Sequence, residues 1–123
     1  MKKLSFLFAI ILSVAFLNSC KNKEPSIVKI YVRSSSNALI EGAKVIIVGD
    51  KASNPSTFAY VDTVITNNAG YASFFLDPHF DLGGEDYEVA YFDVIVKTNS
   101  LNVGSGYVRT RVHTTAVETV FLP

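Results

Sequence analysis

The sequence predicts an all-β fold, a seven-stranded Greek-key β-sandwich, and three observations predict it. Apolar and polar residues alternate with period two in several short runs beyond residue 26. Clusters of Ser, Asn, Asp and Gly separate those runs with turn chemistry. No window sustains a 3.6-residue apolar period with helix caps at its ends. Seven such strands in about a hundred residues suit two packed antiparallel sheets.

Ahead of the strands lies a different kind of segment. Met1-Lys2-Lys3 is basic, and residues 4–17 are apolar except for Ser5 and Ser13. A positive start, a short apolar stretch and a small residue before a cut describe a secretory signal. The run is shorter than the about 20 residues that a membrane-spanning helix needs, and Lys21, Asn22, Lys23, Glu24 and Pro25 close it off. Its end, Leu17-Asn18-Ser19-Cys20, resembles the lipobox of bacterial lipoproteins, most closely that of Bacteroidota-like lipoproteins, which tolerate Asn at the Asn18 position. The resemblance implies a signal peptide over residues 1–19, cleavage before Cys20, and diacylglyceryl and palmitate-type acyl groups on that residue. Cys20 is the only cysteine, so no internal disulfide forms. Two or three acyl chains, at about 0.8 kcal/mol per buried CH₂, would anchor the chain firmly.

The 123 residues less the 19 of the leader leave 104, enough for one domain with its own core. Loss of Lys2 and Lys3 leaves 9 basic against 11 acidic side chains, a balance near −2. No run of like charges stands out in the sequence, which disfavours nucleic acid as a partner. Residues 20–26 read as the lipidated cysteine and a short linker, and residues 27–123 as the sandwich. Lys21, where some lipoproteins carry an inner-membrane-retaining aspartate, points to lipid anchoring at the outer membrane, in either leaflet.

The strands follow in order. Val28, Ile30 and Val32 alternate with Lys29, Tyr31 and Arg33, and residues 34–37 form a turn. Val45-Ile46-Ile47-Val48 is a β-branched run of the kind covered on both faces, ended by Gly49-Asp50. Residues 58–66 make a third strand, Asn67-Asn68-Ala69-Gly70 a turn, and residues 71–76 its continuation. Residues 77–86 read as a loop. Ala90, Phe92, Val94 and Val96 then share one face of a long strand, opposite Tyr91, Asp93 and Lys97. Residues 99–106 read as a second loop. Val108, Thr110 and Val112 oppose Tyr107, Arg109, Arg111 and His113, and residues 116–122 form the last strand.

Two stretches carry a further resemblance. Leu39-Ile40-Glu41-Gly42-Ala43-Lys44-Val45 and Thr66-Asn67-Asn68-Ala69-Gly70-Tyr71-Ala72 resemble the carboxypeptidase regulatory-like domain family, and residues 84–89 loosely match its later Gly-x-x-Tyr-x-Val segment. The resemblance spans roughly residues 26–122 and implies a transthyretin-like (prealbumin-like) sandwich used for binding, spacing or scaffolding. Residues 86–92 are longer than the family's pattern, which suggests a bulge there.

Four groups of residues are candidates for chemistry. Asp77, Asp81, Glu85 and Asp86 could gather round Ca²⁺, but their spacing departs from the EF-hand order. His79 and His113 lack the close spacing of metal ligands, so no metal site is expected. Tyr107, Arg109, Arg111 and His113 line one polar strand face, either solvated or a shallow groove for an acidic sugar or a protein chain. Tyr31, Tyr60, Tyr71, Phe75, Tyr87 and Tyr91 are candidate platforms for sugars or proteins. No nucleophile with a paired base stands out. The expectation is a non-enzymatic envelope lipoprotein without cofactor whose sandwich binds a protein or glycan partner. The alternatives are a small hydrolase or metal-dependent enzyme on a transthyretin-like fold, and an inhibitor or immunity protein. The chain end, Val120-Phe121-Leu122-Pro123, lacks the Tyr-Arg-Gly-Ser tail of the hydroxyisourate hydrolases that share that fold.

Overall fold

The computed structural model describes residues 24–82, 88–99 and 102–123. Residues 1–23, which hold the expected leader and Cys20, lie outside them. So do residues 83–87, and with them part of the candidate calcium loop, Tyr87 and most of the Gly-x-x-Tyr-x-Val segment.

Seven strands build two sheets: β1 (Ile27–Arg33), β2 (Lys44–Gly49), β3 (Val61–Ile65), β4 (Tyr71–Phe75), β5 (Val89–Lys97), β6 (Val103–Arg111) and β7 (Thr115–Phe121). One sheet has the order β4-β1-β7 and the other β3-β2-β5-β6. Every pairing is antiparallel except β1 with β7. The chain is an all-β sandwich.

Period-two alternation decides what lies between the sheets, because successive side chains of a strand point to opposite faces. Val28, Ile30, Val32, Val45, Ile47, Phe74, Phe92, Val94, Val96, Val108 and Val120 are all buried there. The expectation for β5 holds residue for residue, since Ala90, Phe92, Val94 and Val96 are the inward set. Gly42 and Gly70 both adopt positive φ, +78° and +79°, at the turns before β2 and β4. That conformation strains any residue with a Cβ.

Five expectations are corrected. β2 is not covered on both faces: Val45 and Ile47 are buried, while Ile46 and Val48 are half-buried on the outside, shielded only by their strand neighbours. The third strand is shorter than residues 58–66, because only residues 61–65 pair with β2. The ladder of β5 with β6 runs unbroken from Val89↔Arg111 to Lys97↔Val103, so it has no bulge.

Residues 77–82 are not loop but a short helix, α1 (Asp77–Leu82). The Leu76 carbonyl accepts from the amides of His79 and Phe80, and burial of Phe80 seals the helix against the core. Pro78 suits the first turn, where a missing N–H costs nothing. Finally, β6 begins at Val103, inside the expected 99–106 loop. Gly104 and Gly106 read as loop residues but serve the sandwich: a Cβ on Gly104 would stand 2.8 Å from Val120 Cγ1 and 3.0 Å from Leu122 Cδ2. Strand glycines of this kind mark a close approach of another element.

Candidate functional site

The most distinctive surface is the outward face of the four-stranded sheet. Register fixes its rows. Val61, Val48, Asp93 and Tyr107 form one row, and Thr63, Ile46, Ile95 and Ser105 the next. Tyr91 stands opposite Arg109, and Val89 opposite Arg111. Val61 is 70% exposed, and Tyr107 45%. A band of β-branched side chains therefore runs into a cluster of Tyr and Arg.

Within that cluster the Tyr107 hydroxyl donates to Asp50 Oδ2 at 2.6 Å. The Tyr107 ring stacks on Tyr91 with centroids 6.0 Å apart and planes at 24°. The hydrogen bond to the Asp50 carboxylate is the main reason the Tyr107 phenol is pushed up to about 12, with desolvation and the Asp50 charge adding to it. Asp50 is itself fixed: its other oxygen accepts from the Ala52 amide at 3.0 Å, and its own amide donates to the Tyr91 carbonyl. Arg109 and Arg111 are exposed beside it, and their guanidinium groups have no hydrogen-bond or ion-pair partner among the described residues.

Of the four polar residues expected on β6, the structure keeps Tyr107, Arg109 and Arg111 together and removes His113. The strand ends at Arg111, and His113 takes a positive φ of 61° in the turn to β7. Its amide donates to Ser26 Oγ at 2.7 Å, and its Nδ1 lies 2.9 Å from the Glu24 carbonyl. Since a carbonyl only accepts, that contact places a proton on Nδ1. His113 is thus a tie between the β6–β7 turn and the start of β1. Asp50, which sequence reading used only to end a strand, takes its place in the cluster. Nothing in the sequence links Asp50 to a tyrosine 57 positions away.

The remaining candidates disperse. Asp77 is occupied, accepting from the Ser26 amide at 2.7 Å. His79 stacks on Phe58 and meets the Tyr60 ring edge-on at 4.5 Å, in an aromatic group that includes Phe80 and Phe92. Tyr60 is therefore half-buried rather than an exposed platform; burial and then its hydrogen bond to Asp62 hold its phenol well above the ordinary tyrosine range. On the other sheet Tyr31 and Tyr71 touch at 5.3 Å, Lys29 lies over the Tyr71 ring, and Phe75 is exposed. Among the described residues no three His, Cys, Asp or Glu side chains gather as metal ligands. No helix among them is long and apolar enough to cross a membrane.

No protein-family model matches the chain, and no curated protein does. Among solved structures, the crystal structure of wild-type catechol 1,2-dioxygenase from Acinetobacter radioresistens is similar over 80% of this chain, with a TM-score of 0.51 and 11% identity. This chain spans about half of that one, 52%. At such identity the likeness concerns the fold alone.

Proposed function

We propose that the chain is a non-enzymatic envelope lipoprotein, lipid-anchored through Cys20 at the outer membrane, whose sandwich docks a protein or glycan partner. The observation that carries the reading is the outward face of the four-stranded sheet, where a β-branched band adjoins stacked Tyr91 and Tyr107 and two guanidinium groups unpaired among the described residues. Tyr and Arg dominate the energetics of many interfaces, and exposed apolar bands mark interaction surfaces. Asp50 holds Tyr107 in place before any partner arrives, which lowers the ordering cost of binding.

We further assign the sandwich to the transthyretin-like, carboxypeptidase regulatory-like class with Greek-key connections. The 3 + 4 division of strands, the parallel contact of β1 with β7 and the two positive-φ glycines at the motif turns support that assignment. Neither a cofactor nor nucleic acid belongs to the proposed role.

The test is crosslinked pulldown of the full chain from envelope fractions, alongside a Tyr107→Ala/Arg109→Ala variant. A partner captured by the native protein and lost with the variant is the expected result. Substrate turnover by the purified protein, abolished by His79→Ala or His113→Ala, would overturn the proposal in favour of a hydrolase or metal-dependent enzyme.

A further inference from the structure

At the opposite end of the same sheet face two lysines meet. Lys44 opens β2 and Lys97 closes β5, and they are direct cross-strand partners. Ile65 flanks Lys44 on one side and Val103 flanks Lys97 on the other, so the row reads apolar, cation, cation, apolar. Both flanking side chains are more than half exposed, Ile65 at 61% and Val103 at 53%.

Like charges directly opposite each other destabilise a sheet unless something neutralises them. Nothing does: neither ammonium has an ion-pair or hydrogen-bond partner among the described residues. The two lysines line a cleft of about 370 Å³ with Gly42, Ile65, Thr98 and Asn99. Gly42 borders open space, where a Cβ would meet no atom within 4 Å. A cleft of that volume is in the range that holds small ligands.

We propose that this cleft binds a dianionic oxyanion, the phosphate group of a phosphate ester. Two ammonium groups on adjacent strands, both lining the cleft, can offer up to six N–H donors to one ligand. A dianion balances both charges, whereas a monocarboxylate balances one. Ile65, which lines the cleft beside Lys44, gives the ester's organic part an apolar surface to lie on. This site goes beyond the partner-binding role proposed above and uses none of its residues, so either can fail without the other.

The test is NMR titration of the full chain with inorganic phosphate, following the amide signals of residues 42–44 and 97–99. Saturable shifts confined to those signals are expected. Lys44→Gln/Lys97→Gln should weaken binding about tenfold or more, while Lys44→Arg/Lys97→Arg retains it. Both lysines are exposed, so Lys44→Arg/Lys97→Arg should keep the native thermal midpoint, while Lys44→Gln/Lys97→Gln, which removes the like-charge pair, should match or exceed it. Glucose 6-phosphate and dihexanoyl phosphatidic acid then separate a soluble sugar ester from a lipid headgroup, according to which binds more tightly than phosphate. Absence of saturable shifts at these residues, or a glutamine variant that binds phosphate as well as the native chain, would overturn the proposal.

Discussion

Thr66 and Thr110 are both buried, yet they should respond to valine with opposite signs. Thr66 Oγ1 accepts from the Ala43 amide at 2.9 Å and donates to the Ile40 carbonyl at 2.8 Å, stapling the turn before β2. Thr66→Val would orphan a buried amide, at a cost of about 1–3 kcal/mol. Thr110 Oγ1 is buried with no hydrogen-bond partner among the described residues. Thr110→Val removes an unmet polar group, so stability should hold or rise. Urea unfolding midpoints of the two variants check both signs, and a large loss at residue 110 would show that its hydroxyl has a partner. Tyr107 supplies a pH test at the same scale. Its folded phenol sits at about 12 against an ordinary 10, held there mainly by Asp50. The folded state therefore keeps a proton that the unfolded chain releases. The stability linked to it is complete below pH 10 and is lost as pH climbs through about 12. Tyr107 and Tyr60 should ionise late in an absorbance titration. Asp50→Asn should bring Tyr107 back toward the ordinary range while leaving Tyr60 high.

β6 and β7 belong to different sheets and pack closely only because β6 lacks side chains at residues 104 and 106. Gly104→Val would drive carbon atoms into Val120 and Leu122, and overpacking of this kind costs about 1–3 kcal/mol. Thermal unfolding should show a lower midpoint for Gly104→Val than for Ser105→Val, whose side chain points out of the sheet. The same glycines show where element-level reading stopped. Alternation in β1 and β5 was legible because each has one face in the core and writes the period into the chain. Gly104-Ser105-Gly106 carries no such period, so close packing and a loop look alike in sequence. The six residues of α1 span too few turns to show a helical period, and only the burial of Phe80 fixes them. The outward half of β2 misled for a related reason: Ile46 and Val48 are β-branched for their strand neighbours, not for a second covering layer.

Across the whole molecule, what the sequence concealed was juxtaposition. The β6 residues Tyr107, Arg109 and Arg111 could be placed on one face from their spacing alone, but Asp50 joins them only through the β2–β5 pairing, and Lys44 meets Lys97 by the same pairing. That pairing also gives the molecule two distinct ends. Ser26, whose hydroxyl and amide bind His113 and Asp77, fixes the entry of the chain beside the β6–β7 turn, near Arg111. Five residues lie between Cys20 and Ser26, and those six residue steps reach about 22 Å at most. The proposed lipid on Cys20 would therefore hold the Arg111 end close to the bilayer. Lys97 lies eight residues further along β5 from the Val89–Arg111 pair, about 27 Å away. The stacked tyrosines and the arginines would face partners at the membrane surface, and the lysine cleft would face away from it. A fluorophore attached through Arg111→Cys in the lipidated protein should be quenched strongly by headgroup-labelled nitroxide lipids, and one attached through Lys97→Cys weakly. Equal quenching at the two sites would show that the sandwich tumbles freely on its linker. Removing the anchor with Cys20→Ser should abolish quenching at both sites and end acyl labelling. Retained labelling in that variant would place the lipid elsewhere on the chain.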